Sequence, residues 1–232
     1  MSSLTGSNRR AERLSLRQRP GDQSLVIGDR AYNLVLGLTV LWGLLVNMAM
    51  CATLTDFVLG ISPVALLVGY LVCAIAGLFI AYKSDNPVVS FLGYNMVVIP
   101  LGLVITRTVA LVGGIDTDAV MYAFVDTLLV TAAMVIASAL FPQFFSRLGG
   151  VLFAALIGIV LMGLFSFLVP GAYYLVSIIA AVVFSLYIGY DFWRSQQYTR
   201  TVDNAVDSAI DIYMDIAMLF LQLVEIFASN RD

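Results

Sequence analysis

Histidine is absent from the 232 residues. With it go Ser-His-Asp and Cys-His catalysis and the commonest ligand of zinc, copper and iron. Any functional site must therefore be built from oxygen and positive charge. Cysteine is nearly as scarce: Cys51 and Cys73 lie inside apolar runs without CxxC spacing. That argues against a disulfide framework or a thiolate metal centre and leaves two small apolar side chains. Charge is the third deficit. Only 12% of residues are charged, against about 25% in soluble domains. The net charge is -3 and the basic residues sit in short patches, which argues against nucleic acid as a partner.

Apolar residues fill the space that charge leaves. They make up 61% of the chain and raise its mean hydropathy to +0.96, the range of an integral membrane protein whose partner is the lipid bilayer. Residues 1–30 are polar and Arg-rich and read as a cytoplasmic tail. From residue 31 apolar segments recur at about the 20-residue length that crosses a bilayer, near 31–55, 62–83, 87–112, 118–141, 147–169, 172–194 and 204–228. Gly60, Pro87, Gly113-Gly114, Pro142 and Pro170-Gly171 punctuate them. The expectation is an all-α integral membrane protein, a bundle of seven transmembrane helices over 31–229 with a short tail at 230–232. Short connections imply that successive helices are antiparallel neighbours. In the fifth segment Gly150, Ala154 and Gly158 form a small-residue ridge suited to close helix packing.

Ten of the twelve basic residues fall on one side of this arrangement: the tail arginines, Lys83, Arg147, Arg194 and Arg200. Arg107 and Arg231 fall on the other. By the positive-inside rule the N-terminus is cytoplasmic.

The seventh segment carries Asp203, Asp207, Asp211 and Asp215 at every fourth residue, one stripe on a helix face. Like charges there repel, and ionised groups within apolar sequence are expensive. Asp203 and Asp207 are accounted for by solvation at a helix start, where they also complement the helix dipole. Asp215 lies too far along for that. Asp191, near the end of the sixth segment, and Asp215 are each twelve residues from Asp203, so a hairpin can bring them to similar height, with Asp211 one turn closer to the cytoplasm. A straight-helix count leaves them at different depths unless the sixth helix extends into the cytosol or the seventh begins in a submerged position. Two carboxyls in contact at low dielectric do not both ionise easily and share one proton, which makes a pH-sensitive element without histidine. The alternatives are a hard cation such as calcium held by Asp191 and Asp215, and a bridge to Lys83 or Arg194. Arg107 and Asp126 lie nine and ten residues from Asp116 and form a candidate pair in the outer half of the membrane.

The segment FSLYIGYDFWRSQQ, Phe184 to Gln197, followed by AIDIYMDIAMLFLQLV, Ala209 to Val224, resembles the paired signature of the Bax inhibitor-1 family of seven-helix membrane proteins. The bacterial branch of that family places two aspartates at the separation of Asp191 and Asp215. The resemblance implies a pH-sensitive passive calcium leak in the bacterial cytoplasmic membrane, with the aspartate pair as sensor. It also implies a latch from the cytoplasmic end of the second helix, where Lys83 stands. Met218 replaces the family's usual Asn after the second aspartate, and Asp126 lies about one turn from the position of its fourth-helix carboxylate. The expected protein is not an enzyme and requires no cofactor, calcium being its transported ion. A rival reading is a non-conducting regulator of a membrane quality-control protease, contacted through the Arg-rich tail. An intramembrane aspartyl hydrolase is disfavoured, since Asp215 is followed by Ile216 and lacks the Gly-Asp context of such enzymes.

Overall fold

Ser62 and Asn86 open two helices in the same way. Each sits in extended backbone, accepts a hydrogen bond from an amide of the first turn (Ala65 N at 3.1 Å, Val88 N at 2.9 Å) and is followed by proline at the first helical position. In a computed structural model describing residues 25–165 and 172–229, nine helices follow from such local signals. They are α1 (Asp29–Thr53), α2 (Thr55–Leu59), α3 (Pro63–Lys83), α4 (Pro87–Leu111), α5 (Asp118–Leu140), α6 (Pro142–Ser146), α7 (Gly149–Phe165), α8 (Ala172–Ser195) and α9 (Val202–Ser229). The tail at 1–24, the Pro170-Gly171 turn and the tail at 230–232 with Arg231 lie outside the described residues. Gly113 and Gly114 end α4 at φ +106° and +99°. The amide of Gly114 bonds the Val109 carbonyl and that of Gly113 the Ala110 carbonyl, a paired C-terminal cap that needs left-handed backbone.

The chain is a multi-pass membrane protein. Five helices, α1, α3, α4, α5 and α8, are long and apolar enough to cross a bilayer, and α7 is a shorter apolar helix of 17 residues. Leu128, Leu129 and Ile136 on α5, and Val72, Ile75 and Phe79 on α3, face outward, as lipid-facing side chains do. The expected seven-span bundle is compatible with this set, α9 being the remaining helix. α9 is not one of the five, yet it is the most enclosed element. It packs against α1, α4, α5 and α8, and from Asp203 to Ile210 every residue is buried. Charge on a membrane helix is tolerated where it faces the bundle, and α9 has neighbours on every side.

Sequence order does not dictate neighbourhood everywhere. The consecutive helices α4 and α5 share at most marginal contact, because α9 lies against both. The α3/α4 hairpin is the tight one. A β-carbon on Gly77 would meet the Gly93 carbonyl at 2.5 Å, and one on Gly93 would meet the Gly77 carbonyl at 2.5 Å, so the two backbones touch where both lack side chains. The ridge expected at Gly150, Ala154 and Gly158 does not form a packed contact. A β-carbon at Gly150 or Gly158 meets nothing within 4 Å. Instead α8 lies against the other side of this region, with Gly149 beneath Tyr190 and Gly189 beneath Phe145.

Candidate functional site

Asp191 and Asp215 do meet. Their carboxyl groups lie close enough to act directly on each other, and both residues are buried, with 9% and 8% of their surface exposed. Oδ2 of Asp215 is enclosed without a hydrogen-bond partner. Two carboxyls so placed can bond to each other only when one of them carries a proton, since ionised carboxylates only accept.

The depth problem is resolved by an offset between α8 and α9. Tyr32, in the first turn of α1, donates to the Ser195 carbonyl at 2.9 Å while its hydroxyl lies 3.2 Å from Ser208 Oγ and 3.5 Å from the Asn204 carbonyl. The last turn of α8 is therefore level with 204–208, and α9 starts about one turn beyond the end of α8. Asp191 then stands near the level of residue 210. Asp215 is little more than one turn deeper, and side chains on a helix lean toward its N-terminus.

Around the pair stand the other expected participants. Arg194 Nη1 donates to Asp191 Oδ1 at 3.5 Å, so of the two candidate counter-charges Arg194 is the one beside Asp191, on the same helix. The Lys83 ammonium lies 5.2 Å from the centroid of the Phe79 ring on its own helix. Asp211 is half-buried, accepts a hydrogen bond from the Tyr82 hydroxyl on α3, and is near enough to Asp191, Asp215 and Arg194 for its charge to act on each. No group of three or more acidic or cysteine side chains converges on a metal position among the described residues. A calcium ion here would find two carboxyls from Asp191 and Asp215, fewer than the six to eight oxygens it prefers, and would draw the rest from carbonyls or water.

Two expectations are corrected. Asp203 and Asp207 are not solvated at an open helix start. Asp207 is 2% exposed, and Asp203 Oδ1 accepts from Ser90 Oγ on α4 at 2.7 Å, because α4 covers the first turns of α9. The second correction concerns Arg107 and Asp126, which form no ion pair among the described residues. The Arg107 guanidinium instead donates to the carbonyls of Val58 and Ile61, at 3.1 and 2.9 Å, at the end of α2. With α9 between α4 and α5 the hairpin geometry that would join them does not arise.

One polar cluster carries no spacing signal in the sequence. On the α1/α4 side of α9, Asn47 Nδ2 lies 2.5 Å from Tyr213 Oη, and Tyr94 donates to the Thr39 carbonyl at 2.7 Å while meeting Tyr213 edge to face. Only its residue types, an Asn within an apolar span and a Tyr among aspartates, hint at it. Polar contacts thus hold α9 on opposite sides.

A family model described as inhibitor of apoptosis-promoting Bax1 matches residues 26–232. A search of curated proteins found no match.

Proposed function

The chain belongs to the Bax inhibitor-1 family, and from that premise we propose that it is a pH-sensitive passive calcium leak of the bacterial cytoplasmic membrane, without enzymatic activity. Asp191 and Asp215 are the sensor, Arg194 the counter-charge and Asp211 the neighbouring carboxylate on the cytoplasmic side. The observation that supports this reading is the juxtaposition of two buried carboxyls from neighbouring helices.

The chemistry follows from that closeness. While one proton is shared, α8 and α9 are joined at the pair and the site carries a single negative charge, faced by Arg194. Loss of the proton puts two negative charges in contact in a region of low dielectric, where their repulsion is far stronger than in water. Either α8 and α9 separate at this level or a cation replaces the proton. A divalent cation satisfies both carboxylates at once, and calcium tolerates irregular oxygen ligation better than magnesium does. Flux therefore rises with pH across the range in which the pair loses its proton.

The test is calcium flux into liposomes of purified protein between acidic and mildly alkaline pH, with Asp191→Asn and Asp215→Asn as comparisons. Each variant should flatten the profile. Wild-type protein that carries no cation at any pH would end this reading in favour of a non-conducting regulator. An unaltered profile in both variants would end the sensor assignment.

A further inference from the structure

Resting on that reading, we infer that Arg200 is the positioning residue of the sensor: it fixes the level of α8 against α9, and through it the segment entering α1 controls how closely Asp191 and Asp215 approach. The pair depends on a one-turn offset between two helices joined by residues 196–201, and a short loop alone does not set an offset. Arg200 supplies what the loop lacks. Its Nε donates to Asp29 Oδ1 at 3.0 Å, and its Nη1 lies 3.3 Å from the Ser195 carbonyl and 3.5 Å from that of Tyr198. Its guanidinium lies 4.8 Å from the centroid of the Tyr32 ring, and its own carbonyl accepts from Ile27 N at 2.7 Å. The neighbouring Thr201 is bridged to Val26.

Each contact has a physical role. The last carbonyls of a helix have no partner within it and carry the negative end of the helix dipole, so a cation bonded to Ser195 caps α8 at the end that bears Asp191. The planar guanidinium stacks on Tyr32, the side chain that bonds Ser195 and touches Ser208 on α9. Gln196 adds a bond to Asn33 Oδ1 at 2.9 Å. The start of α1, the end of α8 and the start of α9 are thus tied in one knot, four residues from Asp191.

The charged groups acting on the pair are Arg194 on α8 and Asp211 on α9, and Asp211 in turn accepts from Tyr82 on α3. The acids of α5, Asp118 and Asp126, stand in its first half, toward the opposite end. Asp29, Tyr32 and Tyr198 face Arg200 itself. Arg200 is bonded to Asp29 and the Ser195 carbonyl rather than to the pair, and Arg200→Lys keeps its charge, so a shift that Lys does not fully reverse reports position rather than lost charge.

The experiment measures the pH profile of calcium flux in liposomes for the full chain carrying Arg200→Gln, Arg200→Lys or Asp29→Asn, with Asp191→Asn as reference. Arg200→Gln should move the midpoint by about half a pH unit or more. Arg200→Lys, which keeps charge but not the fork, should restore part of the shift, and Asp29→Asn, which breaks one exposed arm, should give a smaller shift than Arg200→Gln. If Arg200→Gln does not yield folded protein, Asp29→Asn decides: a displaced midpoint supports the inference and a wild-type midpoint overturns it. A flattened Asp191→Asn profile with unmoved midpoints in all three variants overturns the positioning role alone. A wild-type profile in Asp191→Asn overturns the sensor reading beneath it.

Discussion

Tyr82, at the end of α3, donates a hydrogen bond to Asp211, about a third of the way along α9. Ser90 on α4 makes the companion contact with Asp203, two turns earlier on the same face of α9. The α3/α4 hairpin therefore grips α9 by two carboxylates, while α8 meets it through a third, Asp215.

Removing one of these grips has a definite cost. Tyr82→Phe keeps the ring and loses the donor to Asp211. A hydrogen bond to a charged group contributes about 1.5 to 3 kcal/mol when well enclosed, and with Tyr82 partly exposed we expect about 1 kcal/mol. Denaturant unfolding in detergent measures it, and an unchanged midpoint would mean that the bond contributes nothing.

Stability of the wild-type protein should fall with rising pH because of the aspartate pair. On the sensor reading one proton is shared within the folded bundle, so the stabilisation is present at low pH and is lost once the proton leaves, when two like charges remain in contact. Melting temperature in detergent across pH tests this. Asp191→Asn combined with Asp215→Asn should remove that part of the slope, and a double variant with the wild-type slope would contradict it.

Arg107 and Asp126 should behave as strangers. Arg107→Met strips two carbonyls of their donor and should cost about 1.5 to 3 kcal/mol, whereas Asp126→Asn should be nearly neutral. In a double-mutant cycle the coupling should lie within about 0.5 kcal/mol of zero, as for residues that do not touch. A larger coupling would restore the ion pair.

The α3/α4 crossing makes a contrast with α7. Gly77→Ala forces a methyl group against the Gly93 backbone and should destabilise by about 1 to 3 kcal/mol. Gly158→Ala, with open space around it, should be neutral or slightly stabilising, since alanine favours the helix by about 1 kcal/mol. Parallel thermal melts of the two variants decide the matter.

Much of this arrangement was legible in residue order because it rests on local rules. Pro87 marks a helix start, the Gly113-Gly114 pair marks a stop, and the equal separations of Asp191 and Asp215 from Asp203 point to a meeting. What escaped was set by third parties. The burial of Asp203 and Asp207 depends on α4, whose Ser90 carries no signal of its purpose. The partners of Arg107 are backbone carbonyls, which have no sequence signature. Gly77 and Gly93 sit on different helices, so no single-helix spacing reveals their contact, whereas the regular ridge at Gly150 proves to face outward. The offset between α8 and α9 shows only through contacts of Tyr32, far away in the chain.

The enclosure of α9 bears on how the protein is made. Of the described helices it is synthesised last, and an aspartate near a bilayer centre costs about 2.5 to 3.5 kcal/mol on an insertion scale, so α9 has little reason to enter lipid unaided. Until it arrives, α1 can meet α4 and α5 can meet α8, but the helix that joins these pairs is missing. A chain ended ahead of Val202 would keep its pairwise helix contacts and lack their shared partner.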